Sequence, residues 1–174
     1  MNWRGSLLVA TPRLADPRFV GTVLLICEHS RDGALGLVLN RSSDLGVDEA
    51  LPEWVDVVTA PPVVFIGGPV QPEIAIALAD AAHAPEPLES LDAGLAVLDD
   101  LEGIPQRLRI YSGYAGWGPG QLEDEVEERS WWVIEAQPED LFSDAPADLR
   151  RTVLRRQRDD SALFAFYPPL PGLN

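Results

Sequence analysis

The chain of 174 residues contains no lysine, because all 13 of its basic residues are arginine. Without lysine, the protein cannot use a Schiff-base mechanism, a lysine general base or the lysine of a P-loop. Its one cysteine, Cys27, cannot form an internal disulfide, and its two histidines are too few for a three-histidine zinc site. We accordingly expect neither a cofactor nor a resident metal.

Long hydrophobic runs are missing as well. The longest apolar stretches, such as residues 23–27, are far shorter than a membrane span. The N-terminus also lacks the basic start and the apolar stretch of a signal peptide. The sequence therefore predicts a cytoplasmic protein without membrane contact.

Positive charge is scarce, since 28 acidic residues face 13 basic ones and the net charge is −15. A field of this sign repels nucleic acid. One basic segment, residues 150–158, holds five arginines, and on a helix Arg151, Arg155 and Arg158 would form one stripe. This stripe is either a contact for nucleic acid or an acidic partner, or a set of cations that pair with the acidic body and complement the helix dipole. We favour the second interpretation, so direct nucleic-acid binding is not expected.

The remaining composition is that of a globular protein, with 46% apolar and 24% charged residues, and the length predicts one domain over residues 1–174. Short apolar runs predict strands at 7–10, 20–27, 35–39, 63–66, 74–78, 95–98, 108–111, 131–134 and 163–166. Helices are predicted near 47–54, from 119 to about 128 and from 146 to about 157. The near-continuous apolarity of the strands indicates that both of their faces are covered. This pattern favours an α+β fold with a mixed, largely antiparallel sheet.

Four segments in this order resemble the YqgE/AlgH family of bacteria. They are GSLLVA at 5–10 with DPRF at 16–19, CEH at 27–29 with GALGLVLNR at 33–41, FIGGPV at 65–70, and GYAGWGPGQLE at 113–123. The resemblance extends to the closing PGLN at 171–174. It implies an α+β fold in which a branched sheet curls into a partial barrel, flanked by a few helices. It implies little chemistry, because the family is largely uncharacterised and only some members are labelled as transcriptional regulators.

The strongest candidates for chemistry are Glu28 and His29 at the end of an apolar strand, with Asp32 in the following turn. A carboxylate and an imidazole at a strand end can orient a general base or bind a metal. Alternatively, both side chains satisfy backbone groups where the strand breaks. Neighbours on a regular strand point to opposite faces, so catalysis requires a bulge at this point. We predict the structural role, with Glu28 paired to Arg41.

The glycine-rich segment 113–123 matches neither G-x-G-x-x-G nor the P-loop, and its acids would repel an anion. We interpret it as a turn that enters a helix, with Gly118 as N-cap, Gln121 completing a capping box and Trp117 packed on Leu122. In the same way, FIGGPV is interpreted as a strand that ends in a turn whose glycines adopt positive φ, and Cys27 as a buried core residue.

Two classes of function remain. The leading hypothesis is a binding or regulatory protein for an unknown small molecule or protein partner. Its pocket would be formed by Arg41, Tyr114, Trp117 and Glu123. The alternative is an enzyme that uses Glu28 and His29, with Asp32 or Glu123, for acid–base or metal-assisted chemistry.

Overall fold

The computed structural model describes residues 1–14, 16–84, 86–101 and 103–168, and its centre is a ten-stranded sheet. The strands are β1 (Ser6–Ala10), β2 (Val23–Ser30), β3 (Gly33–Val38), β4 (Ser42–Gly46), β5 (Val63–Ile66), β6 (Val70–Ala79), β7 (Glu86–Leu88), β8 (Ala93–Val97), β9 (Leu108–Trp117) and β10 (Trp131–Glu135). The α-helices are α1 (Val47–Ala50), α2 (Gln121–Glu127), α3 (Pro138–Leu141) and α4 (Leu149–Arg155). Short 3-10 helices span Pro52–Trp54, Ala81–His83, Glu89–Leu91, Leu98–Asp100, Pro146–Asp148 and Asp160–Phe166.

The sheet branches at β9. One edge of this long strand pairs with β6, while its other edge pairs first with β5, in parallel, and then with β3, antiparallel. All other pairings are antiparallel, and the main path runs β10-β1-β2-β3-β9-β6-β8-β7. The predicted α+β fold with a branched, largely antiparallel sheet is confirmed. The sheet is not closed into a barrel, because β10 and β7 remain at opposite ends of the path.

Both faces of the first strands are buried, as their apolarity predicts. Leu7 and Val9 belong to the large core cluster, whereas Leu8 and Ala10, which alternate with them, belong to a second cluster on the other face. The second cluster also contains Trp117 and Leu122. Burial on both faces explains why these strands lack the polar alternation of a solvent-facing sheet.

One strand prediction and one turn prediction were wrong. Residues 163–166 lie in the 3-10 helix Asp160–Phe166, where the Asp159 side chain accepts a hydrogen bond from the Ser161 N–H at 3.0 Å. A short apolar run does not by itself distinguish a strand from a helical turn, and this capping contact favours the helical form. The segment predicted as a glycine turn, residues 113–117, instead continues β9. Strands β4 and β7 were not predicted, because neither has a run of apolar residues.

Helix α2 begins later than predicted. Its N-cap is Gly120, at φ 76°, rather than Gly118, and the helix begins at Gln121 rather than at Pro119. The predicted contact of the Gln121 side chain is nevertheless present, since Oε1 accepts the Gly118 N–H at 3.1 Å. Trp117 is buried in the same cluster as Leu122, as predicted.

Helix α4 is also shorter than the sequence indicates. It ends at Arg155, so Arg158 lies beyond it, and the predicted stripe of Arg151, Arg155 and Arg158 does not form on one helix. No helix in the described part of the chain has both the length and the apolar character that a membrane span requires.

The FIGGPV segment connects β5 to β6, and its glycines are required for close backbone packing rather than for a positive φ. Neither Gly67 nor Gly68 is among the residues with positive φ. A Cβ atom on Gly68 would overlap the backbone of Tyr114, and one on Gly67 would overlap the carbonyl oxygen of Gly113. Glycine is therefore needed here so that this segment can lie directly against β9.

Candidate functional site

Strand β2 carries a bulge immediately before the candidate residues. Its register with β3 shifts between Ile26 and Glu28, so Cys27 is the extra residue. A bulge changes the direction of the side chains that follow it. Beyond the bulge, Glu28 pairs with Leu35 and His29 with Ala34 in regular succession, so the two side chains still point to opposite faces. Both residues border the same cleft, but the geometric condition for a joint role is not met.

This main cleft has a volume of about 650 Å³ and lies between distant parts of the chain. Its lining residues include Arg4, Glu28, Asp32, Glu86 and Tyr114, with His29 and Trp117 at its border. Arg4 comes from the N-terminal segment, Glu86 from β7 and Tyr114 from β9. The branched sheet thus collects residues that are widely separated in the sequence.

His29 is held by both of its ring nitrogens. Nδ1 accepts the Trp3 N–H at 3.0 Å, and Nε2 lies 3.0 Å from Oε1 of Glu123. Because Nδ1 is an acceptor, the proton resides on Nε2, which donates to the carboxylate. The ring also stacks on Trp3 at 5.1 Å, and only 2% of the side chain is exposed. The imidazole therefore ties the N-terminal segment and α2 to β2.

Glu123 takes part in this tie and does not line the main cleft. The pKa of Glu123 is lowered, first by the hydrogen bond from its own backbone N–H and further by the side chain of His29. Its carboxylate is therefore charged at neutral pH and serves as the acceptor for His29.

The carboxylates in the main cleft are not paired with its cation, Arg4. Glu28, Asp32 and Glu86 are exposed and form no ion pair within the described residues. The Arg4 guanidinium donates instead to two backbone carbonyls, from Nε to Cys27 at 2.9 Å and from Nη2 to Pro87 at 2.8 Å. Negative side chains therefore outnumber the single cation of the cleft.

The predicted ion pair of Glu28 with Arg41 is absent. Arg41 donates from Nη1 to the carbonyl oxygen of Arg18 and from Nη2 to that of Val20 at 3.2 Å. It follows the far end of β3 and does not line the main cleft, so it stands apart from the other candidate pocket residues. Burial lowers the pKa of Arg41.

Tyr114 forms the aromatic wall of the main cleft, whereas the ring of Trp117, which also borders the cleft, packs into the second core cluster. Tyr114 is half-buried on β9, next to Gly116. Trp117 is 7% exposed, and its indole Nε1 donates to Oε2 of Glu125 at 3.0 Å. The wall thus stands on a strand that is paired along both edges, which gives it a fixed position.

The cleft continues into a side cavity of about 400 Å³ towards β6 and β8. The two spaces share Glu28, Leu35, Glu86 and Tyr114. In the side cavity, Ile74, Ile76 and Leu95 add an apolar surface. A ligand that spans both spaces would contact the shared carboxylates Glu28 and Glu86 and, in the side cavity, aliphatic side chains together with Asp100.

Three of the site's residues were not singled out from the sequence. Arg4 and Glu86 reach the cleft through tertiary pairing, and no local motif marks either of them. Glu125 accepts the indole N–H groups of both Trp117 and Trp131, at 3.0 and 2.7 Å. In the sequence, only the positions of Trp117 and Glu125 on either side of a predicted helix start indicated this contact.

Cys27 is a core residue, as predicted. It is 2% exposed, and burial, followed by the nearby Glu28 charge, raises the pKa of its thiol to about 12. A thiol of this kind is a poor nucleophile at neutral pH. Within the described residues, no group of three or more His, Cys, Asp or Glu side chains is placed to hold a metal ion.

The basic segment makes mostly local contacts. Arg151 pairs with Asp148 at 2.7 Å, and Arg156 pairs with the buried Asp140 at 2.6 Å. Arg150 donates to the carbonyl oxygen of Phe164 at 3.1 Å. Among the described residues, Arg155 and Arg158 are exposed and form no ion pair, so of the three arginines of the predicted stripe only Arg151 makes the contact that the structural interpretation expects.

Comparison with known proteins gives one consistent family. A family model described as DUF179: AlgH-like matches residues 7–162. A UPF0301 protein of Streptomyces coelicolor is 45% identical over 98% of this chain and 94% of its own length. One from Mycobacterium tuberculosis is 41% identical over 94% of this chain and 87% of its own.

Solved structures agree with this result. A crystal structure of protein DIP2367 from Corynebacterium diphtheriae is 29% identical, with a TM-score of 0.82, over 96% of this chain and 93% of that one. The solution structure of the AlgH protein from Pseudomonas aeruginosa is 30% identical, with a TM-score of 0.73, over 97% and 95%.

Proposed function

This chain belongs to the AlgH-like family, and we propose that it is a cytoplasmic binding protein with a regulatory rather than a catalytic role. Its ligand, a small molecule or a segment of a partner protein, occupies the main cleft and leaves unchanged. The observation that carries this proposal is the cleft itself, where unpaired carboxylates meet an aromatic wall while the nearby histidine is bound on both nitrogens.

The charge of the cleft supports a particular class of ligand. Glu28, Asp32 and Glu86 repel anions, and these three negative charges outnumber the one positive charge of Arg4, whose hydrogen bonds are made to backbone carbonyls. A ligand with a cationic head therefore gains attraction at Glu28 and Glu86. Its apolar part can pack on Tyr114 and on the aliphatic side cavity.

The enzyme alternative requires Glu28 and His29 to act together, but the bulge precedes both residues and leaves their side chains on opposite faces of β2. In addition, the available lone pair of the neutral His29 ring is on Nδ1, so this histidine can accept a proton or bind a metal there only by releasing the Trp3 N–H. This release breaks a nearly buried contact that joins three segments. The binding role requires no such rearrangement.

A titration of the whole chain with butylguanidine tests the proposal, and ¹H–¹⁵N spectra recorded at each step measure the response. Butylurea has the same shape without the charge and is the matched ligand control. We expect butylguanidine to shift the amide signals of residues 28–35 and 114–117, and butylurea to shift them much less. Equal responses to both compounds, or none at these residues, would contradict the proposal.

The variant Glu28→Gln removes one cleft charge from an exposed side chain that has no ion-pair partner in the described residues. We expect weaker binding of butylguanidine with unchanged unfolding in urea. Glu53→Gln is the matched control, since Glu53 is also exposed but lies in the 3-10 helix Pro52–Trp54, away from the cleft. If Glu28→Gln binds butylguanidine as tightly as the wild type, Glu28 is not part of the binding site.

A further inference from the structure

A second, more enclosed cavity lies beside Trp117. Its volume is about 150 Å³, and its principal side chains are those of Phe19, Trp117, Trp131 and Glu125, with Asp16 and Arg18 among the other lining residues. We call it the tryptophan cavity. It shares Trp117 with the main cleft, but none of the carboxylates of that cleft lines it.

Three aromatic rings form the walls at steep angles to each other. Trp131 stands at 77° to Trp117, with centroids 6.2 Å apart, and at 68° to Phe19, with centroids 5.9 Å apart. Rings at such angles make the corners of a box. Aromatic boxes attract cations through the negative faces of the rings, and they suit methylated ammonium groups, which are large and weakly hydrated.

Glu125 supplies a negative charge to this box. Its Oε2 accepts the indole N–H groups of Trp117 and Trp131, and its Oε1 accepts Nε2 of Gln121 at 2.8 Å. These three donors are neutral, so the charge of the half-buried carboxylate is not compensated by any of them. A carboxylate also has about four acceptor positions, which leaves one open.

The one cation that lines the cavity does not neutralise Glu125. Arg18 donates from Nε and Nη2 to both carboxylate oxygens of Asp16, at distances of 2.7 to 3.1 Å. This exposed pair is neutral as a unit. The guanidinium also lies over the Phe19 ring, 5.9 Å from its centroid, so among the described residues the charge of Glu125 is left beside the two tryptophan rings, over which no cation lies.

From this combination we propose that the tryptophan cavity binds a methylated ammonium group, such as the trimethylammonium of a choline-type molecule or of a trimethylated lysine side chain. The size is suitable, since 150 Å³ equals the liquid volume of roughly five water molecules. A trimethylammonium group with its attached carbon has as many heavy atoms. The site has Val70, Gly116 and Trp117 in common with the main cleft proposed above, but its charged residues are different ones.

Calorimetric titration of the full chain with choline chloride tests this proposal, at an ionic strength held constant with sodium chloride. The neutral isostere 3,3-dimethylbutan-1-ol is the ligand control. We expect saturable binding of choline and at least about tenfold weaker binding of the isostere. Similar affinities for the two compounds, or no saturable binding of choline, would overturn the proposal.

A second pair of ligands distinguishes a small-molecule source of the methylated ammonium group from a protein source. A short peptide with one trimethyllysine is compared with the same peptide carrying unmodified lysine. If the trimethyllysine peptide binds more tightly than choline, the natural ligand is a methylated protein segment. If choline binds more tightly, it is a free small molecule.

Variants assign the binding to the cavity. Glu125→Gln keeps a carbonyl oxygen for the indole N–H groups but removes the charge, so choline affinity is expected to fall about tenfold. Glu127→Gln, on an exposed position of the same helix, is the matched control and is expected to bind as wild type.

Should Glu125→Gln fail to fold, Phe19→Leu, which keeps an apolar wall without the ring, is expected to lose affinity severalfold. Unchanged affinity in the folded variant contradicts the proposal, while Glu28→Gln affects only the main cleft, so the two proposals fail separately.

Discussion

His29 and Glu123 join strand β2 to helix α2 through a hydrogen bond of 3.0 Å, although 94 residues separate them in the sequence. The other ring nitrogen of His29 accepts the backbone N–H of Trp3, whose ring stacks on the imidazole. Three distant segments therefore meet at one nearly buried side chain. This arrangement makes His29 part of the wall of the main cleft rather than a free base inside it.

Replacing His29 with leucine is expected to destabilise the fold by about 2 to 4 kcal/mol. The substitution leaves the Trp3 N–H without its acceptor and removes the stacking contact. Urea unfolding followed by circular dichroism measures the change. Asp32→Asn, an exposed change in the neighbouring turn, is the control and is expected to stay within about 0.5 kcal/mol of wild type. A small change in the free energy of unfolding for His29→Leu would contradict the structural role and leave the histidine available for catalysis or ligand binding.

Asp80 should contribute a pH-dependent part of the stability. Burial alone would raise the pKa of Asp80, but hydrogen bonds from Arg107 and from the Gln106 N–H outweigh it and lower the pKa. Because the pKa is lower in the folded state, the stabilisation is complete above the ordinary value of 3.8 and is lost as the pH falls below it.

We expect Asp80→Asn to lower stability at pH 7 by about 1 to 3 kcal/mol and to flatten the decline of stability between about pH 5 and pH 2. Urea unfolding at several pH values checks this. Asp92→Asn is the matched control, because Asp92 pairs with the same arginine through a side chain that is 79% exposed. Identical pH profiles for wild type and Asp80→Asn would refute the prediction.

Trp117 is expected to be a major contributor to stability. Trp117→Ala removes a buried ring from the second core cluster and should cost about 3 to 5 kcal/mol. Trp117→Phe retains most of the packing and loses the hydrogen bond to Glu125, so a smaller loss is expected. Thermal unfolding of the three proteins separates packing from hydrogen bonding. Equal losses in both variants would show that the hydrogen bond dominates.

Cys27 should not react with a thiol reagent while the protein is folded. The thiol is buried, and its pKa of about 12 leaves almost no thiolate at pH 8. Labelling with Ellman's reagent should be complete in denaturant and very slow without it. Rapid labelling of the native protein would show that the strand β2 bulge opens.

Duplex DNA should bind weakly and without sequence preference, with a Kd of about 10⁻⁴ M or weaker at physiological salt. The physical reason is the net charge of −15 together with the local contacts of Arg150, Arg151 and Arg156. Fluorescence anisotropy with a labelled duplex measures it. Submicromolar, sequence-specific binding that disappears on changing Arg151, Arg155 and Arg158 to glutamine would favour a DNA-binding regulator instead.

Local sequence patterns were sufficient to predict much of the sheet. The run at residues 63–66 coincides with β5, and the apolar pattern of residues 7–10 matches a strand that is covered on both faces. These predictions succeed because burial on both faces imposes an apolar sequence on each strand, wherever its partners come from. The burial of Cys27 follows from the same pattern.

Tertiary structure decided what surrounds the site. The glycine-rich residues 113–117 are typical of a turn, yet they continue β9 because β3 and β6 supply hydrogen bonds on both of its edges. Arg41 was expected beside Glu28 but turns to the carbonyl oxygens of Arg18 and Val20.

The sequence by itself thus determined the class of fold, the core strands and the family resemblance. Only the folded chain brought Arg4 and Glu86 to Glu28, turned His29 towards Glu123 and placed Glu125 between two tryptophans. Contacts of this kind depend on strand order and on bulges. Both are set by long-range pairing, which leaves no periodic signal in the residues that it brings together.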